Sequence, residues 1–283
     1  MSSERQNPVD PTGPSAVPRG ALLCGIMAMS GFVLYQGPSL WDEVSALKQE
    51  VSSSRDNAVV GYVGISPNPS AAQPPGEWFR VEGERLRLWG GWHPVQGHRW
   101  FLAQVGDLDR SKIDKSIGRD LFQGVDVPVV ETDGGPISGR IPDGHDVDGM
   151  VYHGRPCAYP VLVLDKVLVV NDEVDGVPLL ILFTRSPGGG GSPVFEATVD
   201  GRRMVLGFSG YRYEGLPLLY DREHEGLWIE REQGIVSLSG PDRGRVLRRV
   251  GRLDRMSWRD WSRRHQQTRV LVGADRSPEA TAL

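Results

Sequence analysis

Apolar and polar positions along this chain fall into successive regimes, each predicting a different kind of element. Residues 1–19 are polar and proline-rich with no apolar period, the composition of a disordered tail. The next stretch, GALLCGIMAMSGFVLYQG (Gly20 to Gly37), is free of charge and lacks the polar face of a soluble surface helix. It stands at the short limit for a membrane span, about 17–25 residues. The pattern predicts an uncleaved transmembrane anchor over 20–37. A cleaved signal peptide competes with that reading, although no A-x-A-like site follows the run. Leu40, Val44, Leu47 and Val51 then recur with coiled-coil spacing, predicting a stalk helix over 38–57 with weak self-association at most. Residues 58–77 read as a linker, rich in proline and small residues from Gly64 to Trp78.

From Trp78 the period changes to that of strands. EWFRVEGERLRLWGGW alternates around a turn at Gly83, and HRWFLAQV continues in the same way. YPVLVLDKVLVV, VPLLILF, PVFEATV, RMVLGFSG, LPLLY and GIVSLSG are short apolar runs bounded by turn residues, each predicted as a strand. Asp200-Gly201 is the strongest hairpin signal, because a type I′ turn needs positive φ at both central residues; Asp175-Gly176 ends another strand. The continuous runs VLVV and LLILF are expected to be central and buried on both faces. Only SWRDWSRRHQQT (Ser257 to Thr268) reads as helix, with Ser257 as N-cap and Trp258 and Trp261 on one face. The expected fold is therefore mostly β (β-rich α+β). A single globular domain of short antiparallel strands with a late C-terminal helix would occupy 78–276, followed by a tail at 277–283.

Composition changes this picture little. Gly 36 and Pro 21 favour turns and short strands over long helices. A net charge of -4 leaves no global footprint for nucleic acid. The end is locally basic, however, with eleven arginines against four aspartates between Gly240 and Arg276. Arg243 to Arg255 alternates charge with Val246, Leu247, Val250 and Leu253 and has no aromatics for base stacking, so it reads as a solvated basic face. A membrane or cell-envelope partner is the natural one for such a face on an anchored, extracytoplasmic domain. The orientation rests on a near tie, Arg5 and Arg19 before the span against Lys48 and Arg55 after it. Cys24 and Cys157 form no CxxC and no metal-ligand spacing.

Five segments in order resemble the domain-of-unknown-function 3179 family: CAYPVLVL, VVNDEVDGVPLLI, LGFSG, LLYDREHEGLW and WRDWSRRHQQTRVL, together spanning about 140–276. Members of that family carry a Cys-Pro-Leu-Cys motif after the Asn-Asp block and a histidine shortly before it. The resemblance implies a redox or metal site there, since thiolate and imidazole are soft ligands and nucleophiles. This chain departs at both places. The cysteine motif falls on FTRSPGGGG (Phe183 to Gly191), and the histidine falls near Val167. A function that depends on those thiols does not carry over.

The remaining candidates are read against simpler roles. The glycine loop could form an anion nest around Gly189 with Arg185, but Ser192-Pro193 leads into another strand and not into the helix of a P-loop. Asp221, Arg222, His224 and Glu225, beside Trp228, form the densest cluster, and the resemblance puts the Asp-Arg pair and the tryptophan at family-typical positions. Asp221 is a candidate acid/base or ligand with His224 and with His265 from the late helix. The structural alternative pairs Asp221 with an arginine and packs Trp228 behind it. His93 and His98 lie among tryptophans as weak metal candidates without a third ligand nearby. The sequence favours a membrane-anchored extracytoplasmic binding or scaffolding module with no cofactor and no catalytic activity. The alternatives are a metal or redox enzyme using Asp221, His224 and His265, and an accessory subunit of a thiol-bearing relative.

Overall fold

The computed structural model describes residues 76–93, 97–114, 118–120, 124–183 and 191–275. The predicted tails, anchor, stalk and nearly all of the linker lie outside the described residues, as do Arg185, Gly189 and the side chain of His93. Among the described residues, no helix is long and apolar enough to cross a membrane.

Strands β1 (Phe79–Glu82), β2 (Arg85–His93) and β3 (Gly97–Gln104) form a sheet of their own in that order. The short β4 (Ile113–Asp114) and β5 (Pro128–Thr132) follow. β6 (Asp146–Tyr152) and β7 (Arg155–Pro160) make a hairpin, α1 (Val161–Leu164) a single helical turn, and β8 (Val169–Val174) and β9 (Val177–Leu182) a second hairpin. After the glycine loop come β10 (Pro193–Glu196), the ribbon of β11 (Thr198–Val199) and β12 (Arg202–Arg203), and then β13 (Leu206–Tyr213) and β14 (Leu216–Asp221). β15 (Leu227–Arg231), β16 (Gly234–Ser237), β17 (Val246–Arg252) and β18 (Asp254–Ser257) precede α2 (Trp258–Arg264) and β19 (Arg269–Ala274). The protein is thus β-rich with a short late helix, as its patterning predicts.

Nine strands pair in the order β4-β13-β14-β15-β16-β17-β10-β9-β8, and five in the order β18-β6-β7-β19-β5. The nine-stranded sheet curls until its β8 end returns to β13. There the Asn171 side chain donates to the Leu206 carbonyl (2.9 Å) and accepts from the Leu206 amide (2.8 Å), filling the place of a strand ladder. The strands surround one apolar core that includes Leu180, Phe195, Phe208, Leu219, Trp228 and Ile235. Side chains of opposite parity on β14 and β15 (Leu218, Tyr220, Leu227, Ile229) face outward against Leu86, Leu88 and Phe101 of the three-stranded sheet. Covered on both faces, these strands read as continuous apolar runs.

Four hairpins close through two-residue turns with positive φ at both positions: His153-Gly154, Asp175-Gly176, Asp200-Gly201 and Glu214-Gly215. Ser257 caps α2, its hydroxyl accepting from the Asp260 amide at 3.2 Å, and Trp258 and Trp261 are buried. Trp261 lies against Gly149 of β6, where an added Cβ would sit 2.4 Å from the indole ring.

Three expectations need correction. YPVLVLDKVLVV is not one strand, because α1 interrupts it immediately after Pro160. A fully apolar run looks the same as a buried strand or a buried helical turn, and Pro160 supplies a fixed φ without needing a ladder donor. Only the second half of VLVV, Val169 and Val170, lies in β8, which ends its sheet order instead of lying in the middle; Val125 forms a parallel bridge to Val170 on its free side, and both valines are buried. Finally, the pairing is not wholly antiparallel: β7 and β19 run parallel, joined by a crossover that spans the whole barrel.

Candidate functional site

The densest polar cluster gathers where β3, β14 and two loops meet. Arg222 follows β14 and lies flat on Gly207 of β13, where a Cβ would approach its Cζ to 2.6 Å. Its guanidinium reaches Asp120 (2.5 Å) and Asp126 (2.9 Å). The Tyr220 hydroxyl donates to the same Asp120 oxygen at 2.5 Å. Arg119 stacks on the Tyr220 ring (4.0 Å to its centroid) and pairs with Glu225 at 2.8 Å, and Arg99 of β3 also pairs with Glu225.

Three guanidiniums therefore meet three carboxylates at a partly buried site. Burial outweighs Arg222 and Arg119 and pushes the Asp120 carboxyl above its ordinary range. Burial and neighbouring cations push Arg99 and Arg119 down to about 10, leaving both charged at neutral pH. Asp120 and Asp126 overcome the burial of Arg222 and raise it. The cluster is balanced in formal charge and ties the three-stranded sheet to the barrel.

Two further acids are clamped between the barrel and the five-stranded sheet. Asp172, beside the seam residue Asn171, accepts two bonds from Arg269 of β19, both 2.6 Å, and one from the Tyr159 hydroxyl at 2.7 Å. Asp148 on β6 accepts from Arg255 of β18 at 2.6 and 3.0 Å and from Ser192, at the exit of the glycine loop, at 3.1 Å. Both carboxylates are fully buried. Burial pushes the Cys157 thiol up to about 11, despite the nearby Arg269, so it is a thiol and not a thiolate at neutral pH.

The sequence candidates do not all converge. Asp221 is buried and takes its bonds from its own turn: the amides of His224 (2.5 Å) and Gly226 (2.8 Å) and the Trp228 indole (3.4 Å). The expected arginine is not its partner; Arg222, the first residue of the turn after β14, points to Asp120 and Asp126 instead. His224 stands 3.7 Å from Asp221 and is over a third exposed. His265 caps the end of α2, and its ring lies tilted by 38° against Trp261 at 4.2 Å, away from Asp221. His98 accepts from the Trp89 indole at 3.3 Å. No group of three or more metal-ligating side chains occurs among the described residues.

The basic stripe is likewise not a free field. Arg243, Arg245, Arg248, Arg249 and Arg255 pair with Asp107, Asp200, Glu196, Glu230 and Asp148. Sequence reasoning missed Asp120, Asp126, Asp148 and Asp172 as partners. A signal was present for one of them: Asn171-Asp172 places two strand-disfavoured residues inside an apolar run, which demands buried partners.

Residues 124–281 match the family described as Protein of unknown function (DUF3179), and the chain belongs to that family. No curated protein matches the chain. No solved structure matches it.

Proposed function

We propose that the chain is a membrane-anchored, extracytoplasmic binding or scaffolding module that performs no catalysis. The observation that carries this reading is the engagement of Asp221. Its carboxylate is held by two backbone amides and an indole of its own turn, an arrangement that fixes a loop and leaves no oxygen poised for a substrate proton. Asp172 and Asp148 are similarly occupied by bidentate arginines. The segment on which the family's thiol motif falls, Phe183 to Gly191, holds no cysteine, and Cys157 is too buried and too weakly acidic to stand in for it. The uncharged run from Gly20 to Gly37 supports the anchor.

Metal analysis and calorimetry on the full-length chain in detergent test the reading, with His224→Ala and His265→Ala as variants at surface-accessible histidines. The proposal expects no stoichiometric transition metal in any of the three proteins. One equivalent of zinc or iron, lost in either variant, overturns it in favour of the enzyme alternative. The anchor is tested separately: the chain should resist alkaline extraction from membranes, and removal of residues 1–37 should release it.

A further inference from the structure

The two faces of the three-stranded sheet differ in kind. Leu86, Leu88, Phe101 and Ala103 turn inward against the barrel and are buried. The alternate positions face the other way. Cross-strand partners share a face, so Arg80, Arg87 and Leu102 form one row, and Trp89 and Trp100 the next. Past the bulge the same face continues, because the Trp89 indole donates to His98 (3.3 Å) and His98 is paired with Trp92. One surface thus carries Trp89, Trp92 and Trp100, with Trp78 packed edge-on against Trp89 at 5.3 Å. Trp92 is 55 % exposed and Leu102 48 %.

Cations on this face outnumber acids. Arg80, Arg85 and Arg87 occupy its paired rows against Glu82 alone. Arg87 pairs with Glu82 at 2.9 Å. Arg80 lies over the Trp100 ring at 4.8 Å, and neither Arg80 nor Arg85, both exposed, has an ion pair among the described residues. The arginines between Arg243 and Arg255 are different, since five of them are already met by carboxylates.

Exposed indole and aliphatic groups among unpaired arginines match the chemistry of a membrane–water interface. An indole sits at headgroup depth, and an arginine lays its stem on apolar surface while its guanidinium meets phosphate. A nucleic acid strand fits less well: Trp89 is buried and Trp78 and Trp100 are half-buried, so the rings offer no succession of stacking platforms. We propose that this face docks on a bilayer surface bearing anionic lipid. Trp92 and Leu102 enter the headgroup region, and Arg80 and Arg85 meet lipid phosphates. The inference rests on the reading of the chain as membrane-anchored and names the side of the domain that faces that membrane. The sheet is also the first described element after residues 38–75, which join it to the predicted anchor. Docking of this size adds to an anchor and does not replace it.

Tryptophan fluorescence of the full-length chain tests the face, after reconstitution into vesicles whose acyl chains are brominated near the headgroup. Vesicles of phosphatidylcholine with phosphatidylglycerol should quench more strongly than phosphatidylcholine alone, and Trp92→Phe should remove most of that difference. Arg80→Gln and Arg85→Gln should each lower the ratio of docked to undocked protein about fivefold. Both arginines are exposed, so these variants keep the fold. Equal quenching by the two kinds of vesicle overturns the proposal, as does quenching unchanged in both arginine variants. Quenching by a thymidine oligonucleotide and not by vesicles overturns it in favour of nucleic acid. Flotation with the vesicles separates this proposal from the anchor. A chain that floats without lipid-dependent quenching keeps its anchor and loses this face. Flotation that disappears in Arg80→Gln supports the face and overturns the anchor, and a wild-type chain that never floats overturns both.

Discussion

Asp172 and Asp107 are both buried carboxylates, yet the two regions that hold them use the charge in opposite ways. At the barrel seam, Asp172 is enclosed by a bidentate arginine and a tyrosine hydroxyl, and its neighbour Asn171 closes the sheet. Beside the three-stranded sheet, Asp107 gives one oxygen to an exposed arginine, and its other oxygen is buried without a hydrogen-bond partner among the described residues. The first region carries the sequence segments shared with the family, and the second lies mostly outside the match. The contrast teaches that a polar motif inside an apolar strand can be architecture.

Removing one partner at the seam should have the largest effect. Arg269→Leu leaves Asp172 buried without its counter-ion and should cost about 3–5 kcal/mol in chemical denaturation. If the loss is below about 1 kcal/mol, Asp172 is not the clamp described here. Gly149→Ala drives a methyl group into the Trp261 indole and should cost about 1–3 kcal/mol, read as a lower unfolding midpoint. Asp221→Ala removes the acceptor of two amides and an indole and should cost about 2 kcal/mol. Amide exchange at His224 and Gly226 should accelerate together in that variant.

A pH effect separates Asp120 from these saturated acids. Its folded value is raised above the ordinary 3.8, chiefly by burial, so the folded state holds this proton more tightly than the unfolded chain. Its contribution to stability is complete below that ordinary value and is lost as pH rises through the folded value. The wild-type protein should therefore lose stability relative to Asp120→Asn as pH rises from acid towards neutral, and a constant difference contradicts the shift. The smallest effect belongs to His224→Ala, expected within about 0.5 kcal/mol of wild type because the ring is over a third exposed and stands 3.7 Å from Asp221, beyond hydrogen-bond distance.

Much of the local structure was legible in the sequence. Asp175-Gly176 and Asp200-Gly201 announce their hairpins because both residues tolerate positive φ cheaply, and Ser257 announces α2 through its capping chemistry. His153-Gly154 and Glu214-Gly215 make the same turns with weaker first residues, so only their glycines signal. Position α1 was hidden by uniform apolarity. The barrel closure at Asn171 and the partners of the arginine stripe are long-range contacts, which no local period encodes. At the candidate site, the Asp221-Trp228 association was legible, but the partner of Asp221 was not. Amides within one turn depend on a backbone path, including positive φ at Glu225, that composition does not reveal.

Equilibrium urea unfolding of Asp172→Asn beside Asp107→Asn tests the contrast most directly, since the same isosteric change is made at both carboxylates. The account predicts a loss of about 3 kcal/mol for Asp172→Asn and less than about 1 kcal/mol for Asp107→Asn, with unchanged denaturant dependence in both. Equal losses, or a larger loss at Asp107, would contradict it.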